Sequence, residues 1–120
     1  MTDNRPQLDI TLQGTKHTGL TIEIGKYGNG EPAVQLFDPD GEFGGPELVA
    51  VATVNLEGYG ITADPGCIWV KDYSENSGMV VSLISAGLIQ LTGRACEMQW
   101  VTVPEAKPIG YLAELIEASK

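Results

Sequence analysis

The chain is poor in the residues from which most catalytic and metal sites are built: it has one histidine and two cysteines in 120 residues. Cys67 and Cys96 stand 29 positions apart, and neither has a second cysteine or a histidine nearby. That is too few for a disulfide framework or a zinc site, so the expectation is two buried free thiols, with a single disulfide as the arithmetic alternative. His17 lies in QGTKHTG, which reads as a turn between the first two strands. A lone histidine there has no partner or orienting group, and base catalysis needs both. No serine stands in a GxSxG setting and no cysteine has a base beside it, so hydrolase-type nucleophilic catalysis has no signature.

Positive charge is scarce too. Seven Lys and Arg face sixteen Asp and Glu, giving a net charge of −9, and nowhere do three cations neighbour one another. Direct nucleic-acid binding is disfavoured, because neutralising phosphates supplies most of that affinity. The acidity has two readings. One is solubility; the other is attraction to the basic groove of a nucleic-acid-handling protein, where opposite potentials speed and orient docking. Long apolar runs are also missing: nothing approaches the ~18 residues of a membrane span, and residues 1–18 hold no signal-peptide core. The expectation is a soluble protein of the cytosol, folded as one domain over residues 1–120.

What is present is alternation. LDITLQG, LTIEIGKY and PAVQLF each put apolar residues on one face and read as half-buried strands. Asn29-Gly30 between the second and third suits positive φ at both centres of a tight hairpin turn. Pro39-Asp40-Gly41 marks another turn, and the β-branched run LVAVATVNL reads as a central strand. CIWVKDY is a further strand, LIQLTGRA is ambiguous, and CEMQWVTV alternates again until Pro104 ends it. Met79 and Leu83 fall at helical spacing with Gly87 as a stop, giving a helix of about ten residues. Ile109, Leu112 and Ile116 form a stripe on a C-terminal amphipathic helix that begins near Pro108. Together these predict an α+β fold: a mainly antiparallel sheet of five to six strands, a short internal helix and a C-terminal helix.

Three short stretches imitate ligand sites. Asp38-Pro39-Asp40-Gly41-Glu42 lacks the further ligands and terminal bidentate glutamate of a calcium loop, and so reads as a turn. Residues 25–30, GKYGNG, have the glycines of a phosphate cradle but lead into a strand instead of a helix. Residues 71–79, KDYSENSGM, crowd Asp72, Tyr73 and Glu75 with two serines and an amide. The structural reading has Ser74, Asn76 or Ser77 capping the helix, with Asp72 and Glu75 near its positive end. The functional reading is an acid pair beside Tyr73, with no histidine, metal ligand or substrate clamp to complete it.

Residues 20 to 93, about 74 of the 120, carry TIEIGKYGNGEPAVQLFDPDGE, VATVNLEGYGI, IWVKDYSENSGM and AGLIQLTGR. This span resembles a family of small uncharacterised proteins of phages, plasmids and other bacterial mobile elements, and VKDYSENxGM is its most distinctive part. The resemblance implies an accessory protein with no enzymatic activity, cofactor or catalytic residue to carry over. Proteins of this size and charge from such elements are often inhibitors of host defence, anti-CRISPR proteins among them. FGGPELV and residues 96–120 depart from the family pattern. The leading expectation is a non-enzymatic inhibitor that contacts its protein target through Asp38, Asp40, Glu42 and Glu47 on one loop and Asp64, Asp72, Tyr73 and Glu75 near another. Two alternatives are a structural or regulatory domain that dimerises through its C-terminal helix, and an enzyme or small-ligand protein whose pocket lies beside Tyr73 and Trp69.

Overall fold

In β1 (Leu8–Leu12) the alternation does what a period of two requires: Leu8, Ile10 and Leu12 are buried while Asp9 and Thr11 face solvent. The computed structural model describes residues 7–41 and 43–120. β2 (Thr15–Lys26) runs back antiparallel to β1, with Leu12 opposite Thr15. The connection is Gln13 and Gly14, with φ of 50° and 79°. Two central residues of positive φ make the tight hairpin whose twist matches that of its strands. His17 therefore lies inside β2, opposite Ile10, and not in the expected turn.

β3 (Pro32–Asp38) pairs antiparallel with β2 from Lys26 opposite Pro32 to Thr21 opposite Phe37, the expected hairpin. Its turn differs from expectation, because Gly30 (φ 87°) has positive φ and Asn29 does not. The Gly30 N–H donates to Tyr27 O and the Tyr27 N–H to Glu31 O, both at 2.9 Å. This is the three-residue hairpin loop that closes on a left-handed glycine.

β4 (Glu47–Val51) is an edge strand, the last in a four-stranded sheet ordered β1-β2-β3-β4. The apolar run LVAVATVNL reads as central because it serves two sheets in succession. The Ala52 N–H donates to Val34 O (2.8 Å), and the Ala52 carbonyl accepts the Lys71 N–H (2.8 Å). Thr53 then bridges Val70, and its buried hydroxyl accepts the Val34 N–H.

The second sheet is ordered β5-β7-β6, all antiparallel: β5 (Ile68–Trp69), β6 (Ile89–Glu97) and β7 (Thr102–Pro108). The fold is α+β and antiparallel as expected, with seven strands in two sheets where one sheet of five to six is predicted: the ambiguous LIQLTGRA belongs to strand β6, and CEMQWVTV is the hairpin that joins it to β7 and not one strand. Its turn is closed by the Met98 N–H on Val101 O at 2.8 Å. Pro104 does not end β7 but sits within it. It accepts the Val70 N–H (3.0 Å) and, lacking an N–H, returns no bond, so the β5–β7 ladder stops at Trp69.

α1 (Met79–Ser85) has seven residues, buries Met79 and Leu83, and is followed by left-handed Gly87 as expected. α2 (Gly110–Ala118) begins after Pro108, which is the last residue of β7, so Ile109 holds the N-cap position. Leu112 is fully buried, and Tyr111, Leu115 and Ile116 pack on the main core. The apolar stripe of α2 thus faces inward, leaving Glu114 and Glu117 exposed. The core has two parts: a main cluster shared by both sheets and both helices, to which the second sheet gives Ile68, Ile89 and Ala106, and a smaller one of Leu56, Trp69 and Val103. No described helix is long and apolar enough to cross a membrane.

Candidate functional site

The KDYSENSGM joint puts Asp72 at the start of the helix, as its structural reading expects, but takes its cap from that residue and not from the serines or Asn76. Gly78 occupies the N-cap of α1 with φ 104° and offers no side-chain oxygen. The cap comes from Asp72, whose Oδ1 accepts the Val80 N–H at 2.9 Å. None of Ser74, Asn76 and Ser77 caps the helix. Ser74 (φ 54°) opens a 3-10 turn, Ser74–Asn76, that carries the hydroxyls away from it. Asn76 is buried and donates from Nδ2 to Val51 O at 2.7 Å, while the Ser77 carbonyl accepts the Gln13 N–H at 2.9 Å. The joint therefore ties β4, the β1–β2 turn and α1 together. Glu75 pairs with Lys71, and that hydrogen bond holds its carboxyl below the usual carboxylate range.

Of the eight residues expected at a partner surface, the seven that are described do not form one patch. Asp38 and Glu47 are opposite one another across β3 and β4, and Asp38 Oδ1 accepts the Asp40 N–H at 2.9 Å, a turn as expected. Glu42 lies outside the described residues. Asp64 borders a hollow with Pro32, at the other end of β3, six residues or about 20 Å of strand from Asp38. Asp72 and Glu75 are engaged at the joint just described. Among the described ones, Tyr73 lines a recess together with Tyr59 and Trp100.

An ionic cluster around one buried carboxylate went unread in the sequence. Glu105 is fully buried on β7, opposite Trp69. Its Oε1 accepts the Thr92 hydroxyl (2.8 Å), and its Oε2 accepts the Asp64 N–H (3.0 Å) and lies 3.2 Å from Arg94 Nη1. Arg94 also pairs with Asp64 and lies 6.0 Å from the Trp69 ring centre. Its hydrogen bond to Asp64 raises its pKa above the usual arginine value. Both Glu105 oxygens are engaged, so the group acts as a clamp that fixes the loop ending at Cys67 to the second sheet. Glu105 was legible through its phase with Val103, which is also buried; reading Pro104 as a strand end hid it.

Both cysteines are free, as expected, though half-buried rather than buried. Burial first, and then the negative charges of Glu105 and Asp64, push the Cys67 thiol up. A raised pKa means less thiolate at a given pH. Cys67 is therefore expected to react with iodoacetamide more slowly at pH 8 than a cysteine in an unstructured peptide, with a pH midpoint above that of the peptide. An equal or lower midpoint would contradict this.

The recess is formed by the β6–β7 hairpin tip and the 3-10 turn Glu57–Tyr59. Tyr59, Tyr73, Met98, Trp100 and Val101 line it, and its volume is about 300 Å³. Trp100 is 86% exposed and Tyr59 69%. Beneath them, Leu56, Trp69 and Val103 form the floor cluster, against which Tyr73, Met98 and Val101 pack. Trp69 Nε1 is buried with no hydrogen-bond partner among the described residues, at a cost of about 1–3 kcal/mol. Among the described residues no group of three or more His, Cys, Asp or Glu could hold a metal ion. No protein-family model matches the chain, and neither a curated protein nor a solved structure matches it significantly.

Proposed function

We propose that the chain is a non-enzymatic protein-binding protein that grips its partner at the aromatic recess, with its acidity steering a basic surface toward it. The observation that carries this reading is the exposure of Trp100 and Tyr59 at one recess whose floor is the buried Leu56 and Val103, packed with Trp69. Large exposed aromatics around a desolvated floor are the composition of interface hot spots. Asp38, Asp40 and Glu47, at the far end of β3, act in long-range attraction and not in the grip itself. The resemblance of residues 20–93 to mobile-element proteins supports a target within a bacterial defence complex, met in the host cytosol. The net charge of −9 supports a target surface that otherwise handles nucleic acid.

The test is affinity capture from bacterial lysate at two salt concentrations, with wild type beside the double variant Tyr59→Ala, Trp100→Ala. A partner retained by wild type is expected to be lost by the variant and weakened by raised salt. Capture that is indifferent to the double substitution removes the reading.

A further inference from the structure

Four aromatic side chains, Tyr59, Tyr73, Trp100 and Trp69, gather around the recess and its floor. Two of them already carry a cation from this chain. The Lys71 ammonium lies 5.5 Å from the Tyr73 ring centre, and the Arg94 guanidinium lies 6.0 Å from that of Trp69. Both distances are within the range over which a ring face attracts positive charge. The other two rings, Tyr59 and Trp100, are the most exposed of the four, and no described side chain places a cation on either.

The charges next along the chain to Tyr59, Met98 and Tyr73 are acidic. Glu57 opens the 3-10 turn that carries Tyr59, Glu97 directly precedes Met98 at the hairpin, and Asp72 directly precedes Tyr73. Lys71 and Arg94, the two cations beside these rings, are already paired, Lys71 with Glu75 and Arg94 with Asp64 and Glu105. We infer that the recess receives an arginine side chain from a basic partner protein, its guanidinium stacking on Trp100 and Tyr59 while the flanking carboxylates offset its charge. This rests on the binding reading above and narrows it to one chemistry.

Arginine fits better than an apolar side chain, because an apolar anchor would leave those carboxylates without a counter-charge. It fits better than lysine, because a planar, weakly hydrated guanidinium stacks on aromatic faces while an ammonium acts as a point charge. Met98 adds a polarisable wall that adapts to a flat group.

The probe is an acetylated, amidated Gly-Arg-Gly-Arg-Gly peptide, titrated into the full chain while the Trp100 indole N–H is followed by NMR. The same peptide with citrulline, which keeps the shape and removes the charge, is the control. The arginine peptide is expected to shift the Trp100 signal saturably. The citrulline peptide, and the variants Trp100→Ala and Tyr59→Ala, are each expected to bind about three- to thirtyfold more weakly, with binding to Trp100→Ala read from the backbone amides of residues 98–101. Both variants lie at exposed positions, so circular dichroism should match wild type. Equal binding of the citrulline peptide overturns the inference, as does arginine-peptide binding that survives both substitutions. If the lysate partner is lost by the double variant while the arginine peptide leaves Trp100 unmoved, the binding reading stands and this inference falls. If the peptide seats at Trp100 but the lysate partner ignores the double variant, the binding reading falls and this inference falls with it, the recess then being a site for arginine that the partner does not use.

Discussion

Glu105→Ala is expected to destabilise the protein by about 3–5 kcal/mol and to lower its Tm by roughly 10 °C or more. Three losses combine. The Thr92 hydroxyl and the Asp64 amide lose their acceptor, Arg94 loses its buried counter-charge, and a cavity opens on the inner face of β7. Against the 5–15 kcal/mol that holds an ordinary domain folded, this is a large fraction. Arg94→Ala is expected to cost less, because Arg94 is half exposed and Glu105 keeps its two neutral donors. The two substitutions together should cost less than their sum, since each removes what the other would leave unpaired. Urea denaturation of the four proteins measures this. A Glu105→Ala cost under about 1 kcal/mol, or strict additivity, would show that the clamp contributes nothing.

The second large effect is expected at Gly78, where two constraints coincide. Its φ of 104° is a region that side chains rarely adopt, and a Cβ built there would lie 2.5 Å from the Thr11 carbonyl oxygen. That oxygen belongs to the backbone of β1 and cannot swing aside. Gly78→Ala should therefore cost about 2–4 kcal/mol, combining strain with displacement of α1 from β1. Gly58→Ala is the control, because a Cβ there meets nothing and its φ is not positive. It should be neutral or slightly stabilising. A Gly78→Ala protein as stable as wild type would mean that the joint yields more easily than its geometry requires.

What the sequence made legible was period and punctuation. β1, β3 and the stripe on α2 announce themselves through alternation or helical spacing, because one face of each meets the core and the other meets water. The misreadings share a cause: a residue's local habit was overruled by a partner far along the chain. Proline usually ends strands, yet Pro104 lies where its missing N–H costs only the continuation of β5. Serine and asparagine usually cap helices, yet Asp72 reaches Val80 from eight residues away while Asn76 serves β4. Asn-Gly outranks Gln-Gly as a tight-turn signal, yet the two-residue turn is at Gln13 and Gly14, where Ser77 fixes the Gln13 amide from another element. The recess was half visible: Tyr73 and Trp69 stood out, but Trp100 was hidden by the reading of CEMQWVTV as an unbroken strand. An aromatic at a hairpin tip has a different role from one in mid-strand, and only the turn at residues 98–101 separates the two.

One residue of the splice between the sheets has a mechanical meaning. Ala52 gives its N–H to Val34 in one sheet and accepts the Lys71 N–H beside the other, and two residues later Val54 forms part of the recess wall. Peeling β4 from β3 would thus pull on the recess, and prising the recess open would load the first sheet. A partner that pulled on Trp100 and Tyr59 would meet the resistance of both sheets. The chain should accordingly unfold in one step, with Trp69 fluorescence and far-ultraviolet circular dichroism moving together.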